Sequence, residues 1–115
     1  MYIWLMNKAS LYKGCLEPVL LRLLSTQGRM YGYEITQKVK ELTRGELNIT
    51  EGALYPLLHK LEAEGILEVE LEHTGARVRK YYRLTRTGKR RTSVAMVELQ
   101  SFIQTLELLV HPKLT

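Results

Sequence analysis

The sequence predicts a fold that is mainly α with a small β-hairpin, closed by one long C-terminal helix. Three observations carry this. Up to Gly65 the apolar residues recur at helical spacing in separate blocks, from Leu67 to Leu84 they alternate with polar residues, and beyond Thr85 a helical stripe returns. At 115 residues the chain suits one compact unit. It divides into an N-terminal segment and core domain over 1–85 and an appended helix over 86–115.

In the first block Leu16, Val19, Leu20, Leu23 and Leu24 share a helical face, with Pro18 tolerated in the first turn and Gly28 as the stop. Gly28-Arg29-Met30-Tyr31-Gly32 reads as a turn, after which Ile35, Val39 and Leu42 mark a second helix that ends at Gly45. Thr50 reads as the N-cap of a third, whose stripe Leu54, Leu57, Leu58 and Leu61 stops at Gly65. Pro56 falls inside that stripe, where it removes the bond back to Gly52, so a kink or a distorted first turn is expected.

Past Gly65 the period becomes two. Leu67, Val69 and Leu71 alternate with Glu68, Glu70 and Glu72, and Arg77 to Leu84 alternates again with strand formers Val78, Tyr81 and Tyr82. With Thr74-Gly75 as the tip, Glu72 would face Arg77, Glu70 Arg79, Leu71 Val78 and Leu67 Tyr82, giving one charged face and one packing face. Thr85 then caps a last helix that runs to about His111, where Pro112 ends it. Its stripe Ala95, Leu99, Phe102, Leu106 and Leu109, widened by Met96, Ile103 and Val110, exceeds what so small a domain can cover, so a second copy of the chain is the expected partner.

Three helices, a hairpin and a further helix are the order of a winged helix-turn-helix, whose third helix enters the major groove of DNA while the hairpin lies over phosphate or minor groove. The same order occurs in modules that only bind protein, which is the alternative. Charge favours a polyanion: the net charge is +5, and Arg77 to Arg91 carries Arg77, Arg79, Lys80, Arg83, Arg86, Lys89, Arg90 and Arg91 with no acid. The last four stand in the first two turns of a helix, where the macrodipole disfavours positive charge and an outside polyanion would offset the cost. Lys80, Arg83 and those four are therefore expected on phosphate. Arg77 and Arg79 either touch phosphate or are neutralised by Glu72 and Glu70, which are expected opposite them.

Other chemistry has little support. Cys15 is the only cysteine and reads as a small buried residue, and His59, His73 and His111 are scattered without metal-ligand spacing. There is no Asp, no phosphate-binding glycine loop and no nucleophile set beside a histidine, so neither an enzyme, a cofactor nor a metal is expected. The apolar opening Met1-Tyr2-Ile3-Trp4-Leu5-Met6 is short for a signal segment, and no later run approaches the ~18 residues of a membrane span, which leads us to expect a cytoplasmic protein.

Tyr31-Gly32-Tyr33-Glu34-Ile35, the run from Thr50 through Leu54-Tyr55-Pro56 to Gly65, and Arg79-Lys80-Tyr81-Tyr82-Arg83-Leu84-Thr85-Arg86-Thr87-Gly88 resemble the PadR family of bacterial transcriptional regulators. The resemblance covers about residues 10–90 in the family's order and spacing. It implies a repressor of duplex DNA, dimeric through its first and last helices and often relieved by a small effector. The single last helix is similar to the family's compact branch. By the same resemblance Thr50 and Tyr55 lie at the DNA surface, Tyr55 offering its phenol to phosphate, and Pro56 becomes a device for aiming Tyr55. The alternative for Tyr55 is a half-buried residue packed under the hairpin. Glu51 and His59 reach bases or face water. A flat aromatic effector between subunits would be lined by Met96, Leu99 and Phe102, with Trp4 nearby, although the tryptophan some compact members carry in the last helix is absent here.

Overall fold

The computed structural model describes residues 8–112; Trp4 lies outside them. Helix α1 (Lys8–Tyr12) passes through a 3-10 turn (Lys13–Cys15) into α2 (Leu16–Gln27). Strand β1 (Met30–Tyr31), α3 (Gly32–Leu42), α4 (Glu51–Ala63), β2 (Leu67–Thr74), β3 (Arg77–Leu84) and α5 (Arg86–Val110) follow. The fold is the expected mainly helical one with a small antiparallel sheet. The sheet has three strands in the order β1-β3-β2. From sequence Met30-Tyr31 belongs to a turn, because two residues carry no period. In the fold Met30 pairs with Tyr82 and Tyr31 with Tyr81.

The helices form where the stripes predict. Leu20, Leu21, Leu23 and Leu24 of α2, Ile35 and Val39 of α3, and Leu54, Leu58 and Leu61 of α4 are buried together with Leu67, Tyr82 and Leu84 of the sheet. Leu42, expected on the buried face of α3, is 61% exposed, because it sits in the last turn beside an open groove with Pro18, Met96 and Leu99. Gly65, at φ +75°, ends α4: Gly65 N–H bonds the Glu62 carbonyl at 3.0 Å and Ile66 N–H reaches Leu61 at 2.9 Å. This pair of bonds is a Schellman stop, with buried Leu61 and Ile66 as its apolar contact. Helix α4 continues through Pro56. The Gly52 carbonyl that loses its donor belongs to an exposed residue, where water can serve it.

The hairpin register differs from the expected one. Glu72 faces Arg79, Glu70 faces Tyr81, Glu68 faces Arg83 and Leu71 faces Lys80. The central residues of the turn are Gly75 and Ala76, and Gly75 has φ +62°. A two-residue turn with positive φ at its first position needs glycine there, which moves the tip one residue along from Thr74-Gly75. Every partner shifts by two, so each side chain keeps its face. The packing face is apolar only near the helices: Leu71 and Val78, toward the tip, are 57% and 56% exposed.

Helix α5 starts as expected. Thr85 Oγ1 accepts from Gly88 N–H at 3.0 Å and lies 2.6 Å from the Gly65 carbonyl oxygen, to which it donates. Gly88 is buried against the Ile66 carbonyl, so closely that a Cβ there would stand 2.1 Å from its oxygen. Thr92 and Ala95 are buried, and Met96 and Leu99 are half-buried. From Gln100 to Pro112 every residue is exposed, and the projecting helix stretches the molecule to 62 × 37 × 22 Å. The expectation that no run approaches a membrane span is corrected here. By length and composition α5 is apolar enough to cross one, with a mean hydropathy of 1.2 over 18 residues. Gln100, Gln104 and Glu107 nonetheless share a helical face opposite Leu99, Phe102 and Leu106, an amphipathic pattern.

Candidate nucleic-acid interface

The α3–α4 pair presents the first turns of α4 outward. Thr50, Glu51, Gly52, Ala53, Pro56 and His59 are exposed, and Thr50 Oγ1 accepts from Ala53 N–H at 3.2 Å, which fixes the start of the helix. Tyr55 is different. It is half-buried and packs on the core, and its phenol end lies so close to Gly32 that a Cβ there would be 2.4 Å from the hydroxyl oxygen. Glycine at 32 thus lets α4 approach the start of α3 through Tyr55, with the His59 ring 6.3 Å from the tyrosine ring. At that start, the Glu34 carboxylate accepts from Tyr31 N–H at 3.1 Å.

The outer face of the wing is a layer of charges and rings. Arg29, just ahead of β1, pairs with both Glu70 and Glu72 of β2 and lies 4.2 Å above the Tyr81 ring of β3. Tyr81 meets Tyr31 edge-on at 5.4 Å, and Arg79 lies 4.5 Å over Tyr31. The Arg29 guanidinium is held above its ordinary pKa by its hydrogen bond to Glu72 first, against a smaller desolvation effect. Arg79 is likewise raised, first by its hydrogen bond to Tyr81. Both stay cationic.

These contacts correct the expected pairing of the bases. Arg83, read as free of acids, bonds Glu68 at 2.7 Å and lies 3.5 Å from Glu70. Arg91, also read as free, pairs with Glu17 at 2.7 Å. Glu17 simultaneously holds Lys60 of α4 at 3.2 Å, so one carboxylate ties α2, α4 and α5 together. Lys80 lies 4.0 Å from Glu62. Arg79, expected to be neutralised by Glu70, instead stacks on Tyr31, and the carboxylates meant for it and for Arg77 are taken by Arg29. Among the described residues Arg77, Arg86, Lys89 and Arg90 have no ion pair. Docking of Gly88 on Ile66 sets Arg86 to Arg90 beside the C-terminal end of α4, about 18 Å along the helix from Thr50.

The chain matches the family model described as the transcriptional regulator PadR-like family over residues 20–94. The chain belongs to the PadR-like family. An uncharacterised protein of Lysinibacillus sphaericus is 30% identical over 107 residues, 92% of this chain and 97% of that protein. A transcriptional regulator from Clostridium thermocellum has a similar structure, with a TM-score of 0.79, 25% identity and coverage of 90% and 99% of the two chains. Bacillus subtilis PadR, solved in complex with operator DNA, gives 0.64 at 30% identity over 71% of this chain and 46% of that one. The likeness to these solved structures supports a shared winged-helix fold, and among the described residues of this chain one helix, α5, follows the wing.

Neighbouring apolar grooves lie along the middle of α5. Leu99 and Phe102 line one of about 400 Å³ with Leu11, Cys15 and Pro18. Cys15 is half-buried there, short of the buried site expected for it. Met96 faces the neighbouring groove, about 390 Å³, with Val39 and Leu42. The residues expected around an effector are therefore divided, with Leu99 between them. Arg29, Glu17 and Gly88 escape a reading of the sequence. Only Gly88 carries a signal, a glycine in the first turn of a helix where nothing in the turn calls for one.

Proposed function

We propose that this chain is a cytoplasmic transcriptional repressor that binds duplex DNA as a homodimer on an inverted-repeat operator. The observation that carries the reading is the exposed first half of α4, together with the exposed bases Arg77, Arg86, Lys89 and Arg90 that no carboxylate holds among the described residues, in a chain similar to a PadR solved on operator DNA. Thr50, Glu51 and His59 would meet base edges, and Tyr55, its phenol end packed against Gly32, would set the tilt of α4 from beneath. Arg77 and Lys80 of the wing, with Arg79, would take phosphate close to the groove. Arg86, Lys89 and Arg90 would take flanking backbone, and Arg83 and Arg91 contribute less because carboxylates already hold them.

The second copy would cover Leu99, Phe102, Ile103, Leu106, Leu109 and Val110, most of which are 43–74% exposed, with Ala95 and Met96 at the inner edge of the interface. Two copies of α4 related by a two-fold axis imply half-sites about 10 bp apart, or a multiple of that. A flat aromatic effector lodged where the two copies meet, against Leu99 and Phe102 with Met96 behind, would relieve repression. A salt titration on random and genomic operator DNA tests the reading. A steep log-log fall in affinity, with tighter binding to one inverted repeat, is expected. Binding that is absent, or insensitive to salt, would leave a protein-docking winged helix instead.

A further inference from the structure

We infer that Arg29 is a positioning residue for DNA reading, a strap that fixes the wing against the helical core. This rests on the proposed DNA-binding function. Arg29 follows α2 directly after Gly28, whose φ of +84° turns the chain toward β1. The sheet order β1-β3-β2 places β3 between the strand that Arg29 leads into and its partners on β2. Its guanidinium nonetheless spans the gap, with one nitrogen on Glu70, another on Glu72 and the plane over Tyr81 of the strand in between. Arg79 runs the opposite way, from β3 back over Tyr31 of β1, and the two tyrosine rings meet edge-on between the cations.

The arrangement has a mechanical meaning. Strand β1 is only two residues long, so while Leu67, Tyr82 and Leu84 bury the base of the hairpin in the core, its outer half, where Leu71 and Val78 are exposed, gains little from those few ladder bonds. Met30 is buried and Tyr31 leads straight into α3, whose first residue Gly32 carries the contact to Tyr55 of α4. The strap therefore links the wing to the segment that also seats α4. Arginine suits this position because a planar guanidinium can serve two carboxylates and a ring face at once, which an ammonium cannot. Glu72, and in part Glu70, which Arg83 also approaches at 3.5 Å, would otherwise set negative charge on a wing meant for phosphate. Arg29 occupies them both.

The test uses the full-length protein with Arg29→Ala, Arg29→Lys and the nearly isosteric pair Glu70→Gln with Glu72→Gln. In the DNA-free protein, amide exchange in β1 and the wing should quicken about three- to tenfold in Arg29→Ala, the scale of two exposed ion pairs and one cation–π contact, while α4 amides stay unchanged. Arg29→Lys should recover only part of this. The double Gln variant should match Arg29→Ala, and combining them should add little. On operator DNA, Arg29→Ala should lose about three- to tenfold in affinity with the salt slope unchanged, losing hydroxyl-radical protection at the wing's flank but keeping major-groove protection under α4.

A slope lowered by about one per site would make Arg29 a phosphate ligand and overturn the inference. Unaltered wing exchange, or exchange raised equally throughout the domain, would overturn it as well. If wild type shows no salt-dependent DNA binding, it is the proposed function that fails, and the exchange arm still decides whether Arg29 holds the wing.

Discussion

Replacing Gly88 by Ala would put a methyl group 2.1 Å from the Ile66 carbonyl oxygen and 3.2 Å from Leu84 Cδ2. The nearer obstacle is backbone, and it is held in place by Thr85 N–H at 3.1 Å and the Schellman stop of α4, so it cannot swing aside as a side-chain tip would. Helix α5 would have to lift by about 1 Å, straining or breaking the Thr85 bonds to Gly65 and Ile66. Overpacking of this kind costs about 1–3 kcal/mol and a lost hydrogen bond about 1 kcal/mol, against a gain of about 1 kcal/mol in helix propensity. The net expectation is a loss of about 1–3 kcal/mol, read as a lower midpoint in urea unfolding with little change in slope. Gly52→Ala is the control, because the nearest atom to its Cβ is Thr50 Oγ1 at 3.9 Å; that variant should be neutral or slightly stabilised. A Gly88→Ala protein as stable as wild type would refute the tight seating of α5 on the end of α4.

Other substitutions probe the remaining contacts. Glu17→Ala frees Lys60 and Arg91 from a carboxylate only 23% exposed; about 1 kcal/mol of stability should go, by thermal melt, and the difference should shrink in high salt. Lys89→Ala should lower the DNA salt slope more than Arg91→Ala, since the Arg91 charge is already engaged, and the reverse order in a filter-binding titration would contradict that pairing. Phe102→Glu with Leu106→Glu should convert a dimer seen by light scattering into a monomer with its winged domain still folded; a dimer that persists would place the interface elsewhere. Burial raises the Tyr82 phenol pKa, with Lys80 opposing. The folded state then holds the proton more firmly than the unfolded chain, so this contribution is complete below about pH 10 and fades as pH rises through the folded value. Urea unfolding of Tyr82→Phe should lose less stability than wild type over that alkaline range.

Much of the fold was legible because helices advertise themselves by period and cap. Thr50 and Thr85 both cap as read, and the core residues of α2, α3 and α4 follow the stripes. The wing was legible as a hairpin but not in register, since that depended on which residue needed positive φ at the tip, a one-position decision that alternation leaves open. Strand β1 was illegible because pairing with β3, not its own two residues, makes it a strand. The candidate site was readable only in part. Thr50, Glu51 and His59 are as exposed as expected, but the state of each base depends on acids distant in sequence: Glu17 meets Lys60 and Arg91 across 43 and 74 positions, and Arg29 meets Glu70 and Glu72 across 41 and 43. Local charge counts see none of these partners. They made Arg91 look free when it is held, and the shifted register did the same for Arg83, whose partner Glu68 lies directly across the hairpin.

Beyond Leu99 the last helix is exposed on every side. Three turns of helix that draw so little support from the domain below them must draw it from whatever lies alongside, so their order is a property of the solution as much as of the fold. With a second copy as the companion, mass action would make the melting temperature rise with protein concentration. The occupancy of DNA would then climb faster than in proportion to the number of chains present. A cell that makes few copies would hold a disarmed pool of half-regulators, and a modest rise in synthesis would assemble and arm them together, a threshold set by the length of uncovered helix.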